Sequence, residues 1–412
     1  MAKKSSTSKK PKPSRSSQIL EGSQAIAHVI NYIKPAVVSA YPITPQTHIV
    51  EDLAKLKADG QADYEYVRAE SEFAAASIVC GASATGVRVY TATSSQGLLL
   101  MTEVLFNIAG MRLPVVLTCA NRGVSAPITI WNDHQDAMTL RDAGWIMFFA
   151  ENHQEAIEQH LMAYKLGEKL HLPVIVNIDG FVLTHTYEDV VLPTEVQVKK
   201  YLPPFKPKKG EYLDPSAPVT FGAFAPPAYY MEIREELHRD LINSQSEINN
   251  EYNVLKKTIP SIIKKQEKQA QISNGLIEYY GPKNPKTVII AMGSLVGTIK
   301  DAVDEMNKTK ITEVNKYRVG VLKIKCYRPF PALDVFNVIK SAKYVAVVEK
   351  AISLGAIGPM ALEVAATSKN RLKAKIQSFV VGLGGRDITR DMIKKIVDQV
   401  KEKDDKMKFI GK

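Results

Sequence analysis

Between Gln18 and Pro193, short apolar runs alternate with longer amphipathic stretches. The runs AVVSAYPIT (36–44), VRVYTATS (87–94), LPVVLTCANR (113–122), WIMFFA (145–150) and LPVIVNIDG (172–180) are continuously apolar over most of their length. Strands of that kind are buried on both faces. Cover comes from the helical patterns between them: GSQAIAHVINYI, a segment near 47–59, QGLLLMTEVLFNIAG and QEAIEQHLMAYKLGEKL. The pattern predicts an α/β fold with a doubly wound parallel sheet. Ligands of such sheets meet the loops beyond the carboxyl ends of the strands. Here those loops carry Tyr41, Pro42, Ile43 and Thr44; Thr91 to Gln96; Ala120, Asn121 and Arg122; and Asp179, Gly180 and Phe181.

One strand–helix unit stands out, YEYVRAESEFAAASIVCGASATG (64–86). It reads as a short strand, a turn at 69–71 and a helix whose first turn carries Glu72. An acid there is favoured by the partial positive charge of the helix N-terminus. Ala74, Ala75, Ala76, Gly81, Ala82 and Ala84 leave so little side-chain volume that another group must approach the helix closely. Two readings follow: an acid that only stabilises its helix, or a buried glutamate that hydrogen-bonds a cofactor ring.

The 412 residues suffice for two cores. We expect a disordered basic tail (1–17), a first domain (18–255), a linker (256–284) and a second α/β domain (285–412). The first domain ends in a Pro/Lys/Gly-rich excursion (192–227) and a long amphipathic helix through Tyr230, Leu237, Ile248 and Leu255. Lys3, Lys4, Lys9, Lys10, Lys12 and Arg15 supply six of the net +11 charges, so the remaining +5 gives no nucleic-acid signature. No apolar run is long enough to span a membrane, and the N-terminus lacks the apolar core of a signal peptide; the expected location is cytoplasmic. Cys80, Cys119 and Cys326 are far apart and cannot hold a four-cysteine cluster.

Five motifs in order, AYPITPQT (40–47), ESEFAAA (70–76), TATSSQGLLLM (91–101), ANRGVSAPITIWNDHQD (120–136) and DGFVLTH (179–185), carry a family resemblance, and GLGGRDIT (382–389) extends it. They resemble the α subunit of four-subunit pyruvate:ferredoxin oxidoreductases, in the 2-oxoacid:ferredoxin oxidoreductase family. The resemblance implies a thiamine-diphosphate domain of the pyrimidine-binding type followed by a domain like the transketolase C-terminal domain. It implies oxidative decarboxylation of pyruvate with coenzyme A to acetyl-CoA, with electrons passed to ferredoxin. The related 2-oxoisovalerate enzymes share much of the pattern, and a subunit without chemistry of its own is a further alternative.

By the resemblance, Glu72 hydrogen-bonds the aminopyrimidine ring of thiamine diphosphate, with Glu70 as competing candidate. Thr44 and Arg122 bind the 2-oxoacid, Arg122 through the parallel bonds that a guanidinium makes to a carboxylate. Tyr41, Pro42 and Ser95 are expected at the cofactor, although Ser94, Ser95 and Gln96 equally suit a helix cap, as Thr44 does. Asp133, His134 and Asp136 read as a structural hydrogen-bonded loop rather than metal ligands, and Asp179 as a further loop or cofactor residue. The chain departs from a complete thiamine enzyme in lacking a GDG-plus-Asn cassette and any cluster motif. The resemblance therefore implies partner β, γ and δ subunits that hold Mg2+ and iron–sulfur clusters. Thr184 stands where a serine is common.

Overall fold

The computed structural model describes residues 17–260, 270–308, 317–369, 371–404 and 406–412. The basic tail up to residue 16 and the Lys264, Lys265 and Lys268 run lie outside them. Six strands form the parallel body of the first sheet: β2 (Val37–Ala40), β3 (Glu65–Arg68), β4 (Val89–Thr93), β5 (Val116–Asn121), β6 (Ile146–Phe149) and β7 (Val174–Asp179). Every residue of β4, β5, β6 and β7 is buried, as continuous apolar runs require. β1 (Gln18–Glu21) and β8 (Tyr187–Val190) form a separate antiparallel pair with no counterpart in the sequence expectation.

The order across the sheet is β6-β7-β5-β4-β2-β3. β2 leads outward to β3, and the chain then returns past β2 to place β4 on its other side. The winding direction reverses between β2 and β4, and a doubly wound sheet opens its ligand crevice at the carboxyl ends of such a pair. The covering helices are α1 (Gly22–Ile33), α2 (Thr47–Ala58), α3 (Glu72–Ala84), α4 (Ser95–Leu100), α5 (Thr102–Gly110), the short α6 (Gln135–Thr139) and α7 (His153–Leu170). The single helix expected over 96–110 is broken at Met101 into α4 and α5. The excursion contains α8 (Glu195–Tyr201), started by a capping box between Thr194 and Gln197. The long helix is α9 (Pro227–Thr258), which buries Leu237, Ile248, Tyr252 and Leu255 and packs on α7.

The second sheet is largely parallel. β11 (Thr287–Ala291), β12 (Val319–Ile324), β14 (Tyr344–Glu349), β15 (Lys375–Val380) and β16 (Lys408–Phe409) share one direction. β10 (Ile277–Tyr280) and β9 (Ala270–Ser273) extend it in antiparallel fashion. One expectation is corrected. The 256–284 segment is not merely a linker, because β9 and β10 within it are strands of the second sheet. The run YRVGVLKIKCY is two strands: after β12 the chain turns, and β13 (Cys326–Arg328) pairs antiparallel with β6 of the first sheet.

Buried charges join the units at this crossover. Lys323, 1% exposed, reaches Glu151 (2.6 Å), Glu155 (3.1 Å) and Glu278 (3.4 Å). Lys300 binds Glu151 (2.8 Å) and Glu278 (2.7 Å), and Lys325 lies 3.5 Å from Glu155. Burial alone would raise the Glu278 carboxyl, but Lys323, Lys300 and Lys325 outweigh it and hold it down at about 2. Among the described residues, no helix is long and apolar enough to cross a membrane.

Candidate active site

The carboxyl ends of β2 to β5 bring four motifs to one crevice. Ser71 accepts a hydrogen bond from Ala74 N (3.1 Å) and so starts α3 at Glu72. Glu72 is 7% exposed, whereas Glu70, its competitor, is exposed. No described residue donates a hydrogen bond to the Glu72 carboxylate. The side chain lies over α4, where a Cβ built on Gly97 would stand 2.6 Å from Glu72 Oε1 and 2.4 Å from Thr93 Oγ1. Any residue but glycine at 97 would push the carboxylate away.

Asp136 organises the other side. One carboxylate oxygen accepts from the backbone N–H groups of Ser95 (3.0 Å) and Arg122 (2.9 Å). Its second oxygen accepts from Asn121 Nδ2 (3.0 Å) and Ala137 N (2.7 Å). Burial pushes the Asp136 carboxyl up to about 6, against those bonds, and the charge of Asp133 adds to the rise. One buried acid thus fixes the ends of β4 and β5 relative to each other.

Arg122, 7% exposed, donates through Nε to Thr129 O (2.7 Å) and through Nη1 to Thr44 O (3.0 Å). Its Nη2 donates to no described residue, which leaves the guanidinium end available to an anion. Thr44 is exposed and does not cap α2, whose N-cap is Gln46. The YPIT loop is instead pinned by Gln46, fully buried, which accepts from Ile43 N (3.2 Å) and donates to Ala92 O (2.8 Å). Tyr41, 40% exposed, and Pro42 stand at the open side of this loop. Ser94 is the N-cap residue of α4 but its side chain makes no capping bond: Ser94 Oγ donates to Ala120 O (2.7 Å), and Ser95 Oγ donates to Gly123 O (2.7 Å). The Ser95 hydroxyl also meets the Gln96 side-chain amide at 2.6 Å, so its own chain already engages it twice.

The 122–136 loop is held from the second unit. Gly384 N donates to Asp133 Oδ2 (3.1 Å) and Gly385 N to Asn132 O (2.7 Å). Gly385 has φ +78, and a Cβ there would meet Trp131 Cβ at 2.5 Å, so only glycine fits. His134 Nε2 meets Asp179 Oδ1 at 2.5 Å, and Lys350 Nζ donates to Asp179 Oδ2 (2.9 Å), as does Ser294 N (3.1 Å). Burial would raise the Asp179 carboxyl, yet Lys350 and His134 drive it well below the usual range. Asp133, His134 and Asp136 all hold hydrogen bonds to neighbouring loops or to the second unit. The Asp179 side chain ties β7 to the second unit, while its backbone carbonyl accepts from Leu183 N (2.7 Å) in its own turn. Gln46 and the GLGG contact escaped the sequence reading, since their partners lie far away in the chain.

An apolar groove of about 600 Å3, lined by Tyr32, Val87, Val196 and Phe205, lies at the amino ends of β2 and β4, away from these side chains. Beside the crevice, Phe73, Leu100, Ile128 and Trp131 are exposed, between 41% and 80%.

Comparison with known proteins agrees with this layout. Residues 28–253 match the family described as pyruvate flavodoxin/ferredoxin oxidoreductase, thiamine diP-bdg, and residues 286–393 match pyruvate:ferredoxin oxidoreductase core domain II. The chain is 42% identical over 401 residues to pyruvate synthase subunit PorA of Methanocaldococcus jannaschii, covering 96% of this chain and 97% of that one. Identity to PorA of Methanosarcina barkeri is 43% over 389 residues, covering 93% and 92%. Ketoisovalerate oxidoreductase subunit VorA of Pyrococcus horikoshii is 37% identical over 387 residues, covering 93% and 94%. A solved 2-oxoglutarate:ferredoxin oxidoreductase of Magnetococcus marinus superimposes with a TM-score of 0.67 at 20% identity. That match covers 93% of this chain but only 65% of the other, and it speaks for the fold. With both halves matched by its domains, the chain belongs to the pyruvate:ferredoxin oxidoreductase family and carries its thiamine-diphosphate-binding domain.

Proposed function

We propose that this chain is the α subunit of a pyruvate:ferredoxin oxidoreductase, a pyruvate synthase in the reverse sense. Assembled with partner subunits, it would convert pyruvate and coenzyme A to acetyl-CoA and carbon dioxide and pass two electrons to ferredoxin. The observation that carries this reading is Glu72: a buried carboxylate that accepts no hydrogen bond from the described residues, over a glycine that keeps its position clear. A buried acid without partners is costly. The cost is relieved when a ring N–H occupies the vacant acceptor, so these residues fit the aminopyrimidine of thiamine diphosphate.

When bound, the cofactor supplies an acidic carbon that becomes the nucleophile and a cationic ring that accepts the electron pair as carbon dioxide leaves. The chain's own part is to hold and orient. Glu72 accepts a charge-assisted hydrogen bond from the pyrimidine nitrogen and keeps a proton there. Arg122 presents its free Nη2 edge to the carboxylate of the 2-oxoacid. Thr44, whose carbonyl already anchors Arg122, offers its exposed hydroxyl beside it. Tyr41, Pro42 and Ser95 are proposed at the cofactor, Ser95 mainly through the backbone that Asp136 holds. The exposed Phe73, Leu100, Ile128 and Trp131 support a partner subunit seated over the crevice. That partner would supply the diphosphate and Mg2+ site, and iron–sulfur clusters would lie in the β and δ chains, since Cys80, Cys119 and Cys326 are single, free cysteines. A cytoplasmic location belongs to the same proposal.

The test is to purify the complex, identify its chains and follow reduction of ferredoxin by a panel of 2-oxoacids with coenzyme A. Pyruvate should give the highest kcat/KM. Preference for 2-oxoisovalerate would favour the reading suggested by the VorA relative instead. Acid-independent behaviour, with no reduction by any 2-oxoacid, would overturn both.

A further inference from the structure

A separate cluster lies where β1, α2 and the β7–β8 connection meet. His48 Nδ1 is 2.6 Å from Glu21 Oε1, and the His48 and His185 rings stand 4.2 Å apart, centroid to centroid. One donor atom from each of Glu21, His48 and His185 lies within 4.8 Å of the other two. We propose that these three side chains bind one zinc-class divalent cation, with water completing a four-coordinate shell. Zinc bonds to nitrogen and oxygen are about 2.0–2.2 Å, so two ligands of one tetrahedral ion sit about 3.4 Å apart. Seating one ion among them replaces the 2.6 Å His48–Glu21 hydrogen bond and requires the donor atoms, all within 4.8 Å of one another, to move to that spacing.

Three observations favour a metal over a plain ion pair. First, the non-ligating atoms of His185 and Glu21 already have partners that would orient them toward an ion. Thr184 Oγ1 meets His185 Nδ1 at 2.6 Å, which leaves Nε2 for the ion, and Tyr187 Oη donates to Glu21 Oε2 at 3.4 Å. Second, Glu21 is 8% exposed, whereas the His48 side chain is 44% exposed, so the carboxylate is fixed and an entry path is open. Third, Asp52 adds negative charge beside Glu21 and His48. Two imidazoles and one carboxylate suit Zn2+, Co2+ or Ni2+; Mg2+ and Ca2+ prefer oxygen ligands alone. The ion would clamp the start of α2, which leads directly from the Thr44 loop, onto β1 and the DGFVLTH turn.

The experiment uses the assembled complex as wild type and with His48→Asn, His185→Asn or Glu21→Gln. Each is equilibrated with Zn2+, dialysed, and assayed for zinc per α chain by mass spectrometry. The wild type should hold one equivalent that both histidine variants lose. Glu21→Gln keeps the size and hydrogen bonding of the side chain and should weaken zinc retention by at least about tenfold. Zinc-edge X-ray absorption, which iron elsewhere in the complex does not disturb, should give imidazole nitrogen and oxygen ligands in the wild type. Equal zinc in wild type and variants, or a zinc spectrum without imidazole in the wild type alone, overturns the proposal.

Discussion

Two groups of buried charge sit a short way apart and are built on opposite principles. At the crossover between the sheets, the charges of Glu151, Glu155 and Glu278 are matched by Lys300, Lys323 and Lys325. In the crevice, among the described residues, Glu72 accepts no hydrogen bond and Arg122 Nη2 donates none, although both residues are 7% exposed. A buried charge that its own chain satisfies is an element of assembly. One that its chain leaves open is paid for by whatever binds there.

The sharpest way to break that contrast is Glu72→Gln. If the open carboxylate serves the cofactor, turnover should fall about 10³-fold or more while the complex still assembles, as read by ferredoxin reduction and gel filtration. Near-normal activity would return Glu72 to the role of a helix-end acid. Next comes Lys323→Met, which removes the centre of the closed network and leaves carboxylates uncompensated. It should cost about 3–5 kcal/mol in denaturant unfolding, with kcat per folded molecule little changed. Arg122→Lys keeps the charge but not the fork, and should raise KM for the 2-oxoacid by about tenfold or more without a comparable change for coenzyme A.

The smallest effect is one of pH. Above about 6, Asp136 is ionised and accepts from Ser95, Arg122, Asn121 and Ala137. As pH falls through about 6 the acid takes up a proton, and an oxygen that accepted becomes a donor facing N–H groups. KM for the 2-oxoacid should then rise by about tenfold or less. Asp136→Asn should show the raised KM at every pH, so its pH profile should be flat in this range.

The fold was legible wherever a run of residues carried its own pattern. β4, β5 and β7 were evident because strands buried on both faces read as runs that do not alternate between apolar and charged residues, and α1 because its period was clear. β1 and β8 were not, since both carry charged residues and only each other's edges make them strands. The β12–β13 turn was hidden inside one β-like run. Nothing in the sequence marks Lys323 and Lys325 as buried, since the carboxylates that pair with them, Glu151 and Glu155, lie far earlier in the chain. In the crevice, the strand-end motifs pointed to Glu72, Thr44 and Arg122. Gln46 gave no such signal and Asp136 read only as a member of a structural loop, because their importance lies in joining loops that are separate in sequence.

The crossing of β13 into the first sheet bears on how the chain is made. β6 has β7 on one side, and its other edge stays open until Cys326–Arg328 arrives. During synthesis, therefore, the thiamine-binding half leaves the ribosome with an unpaired strand edge, a template for pairing with other chains. A fragment stopped after α9 should self-associate where the full chain does not. The two halves are consecutive in sequence, but they mature as one folding event.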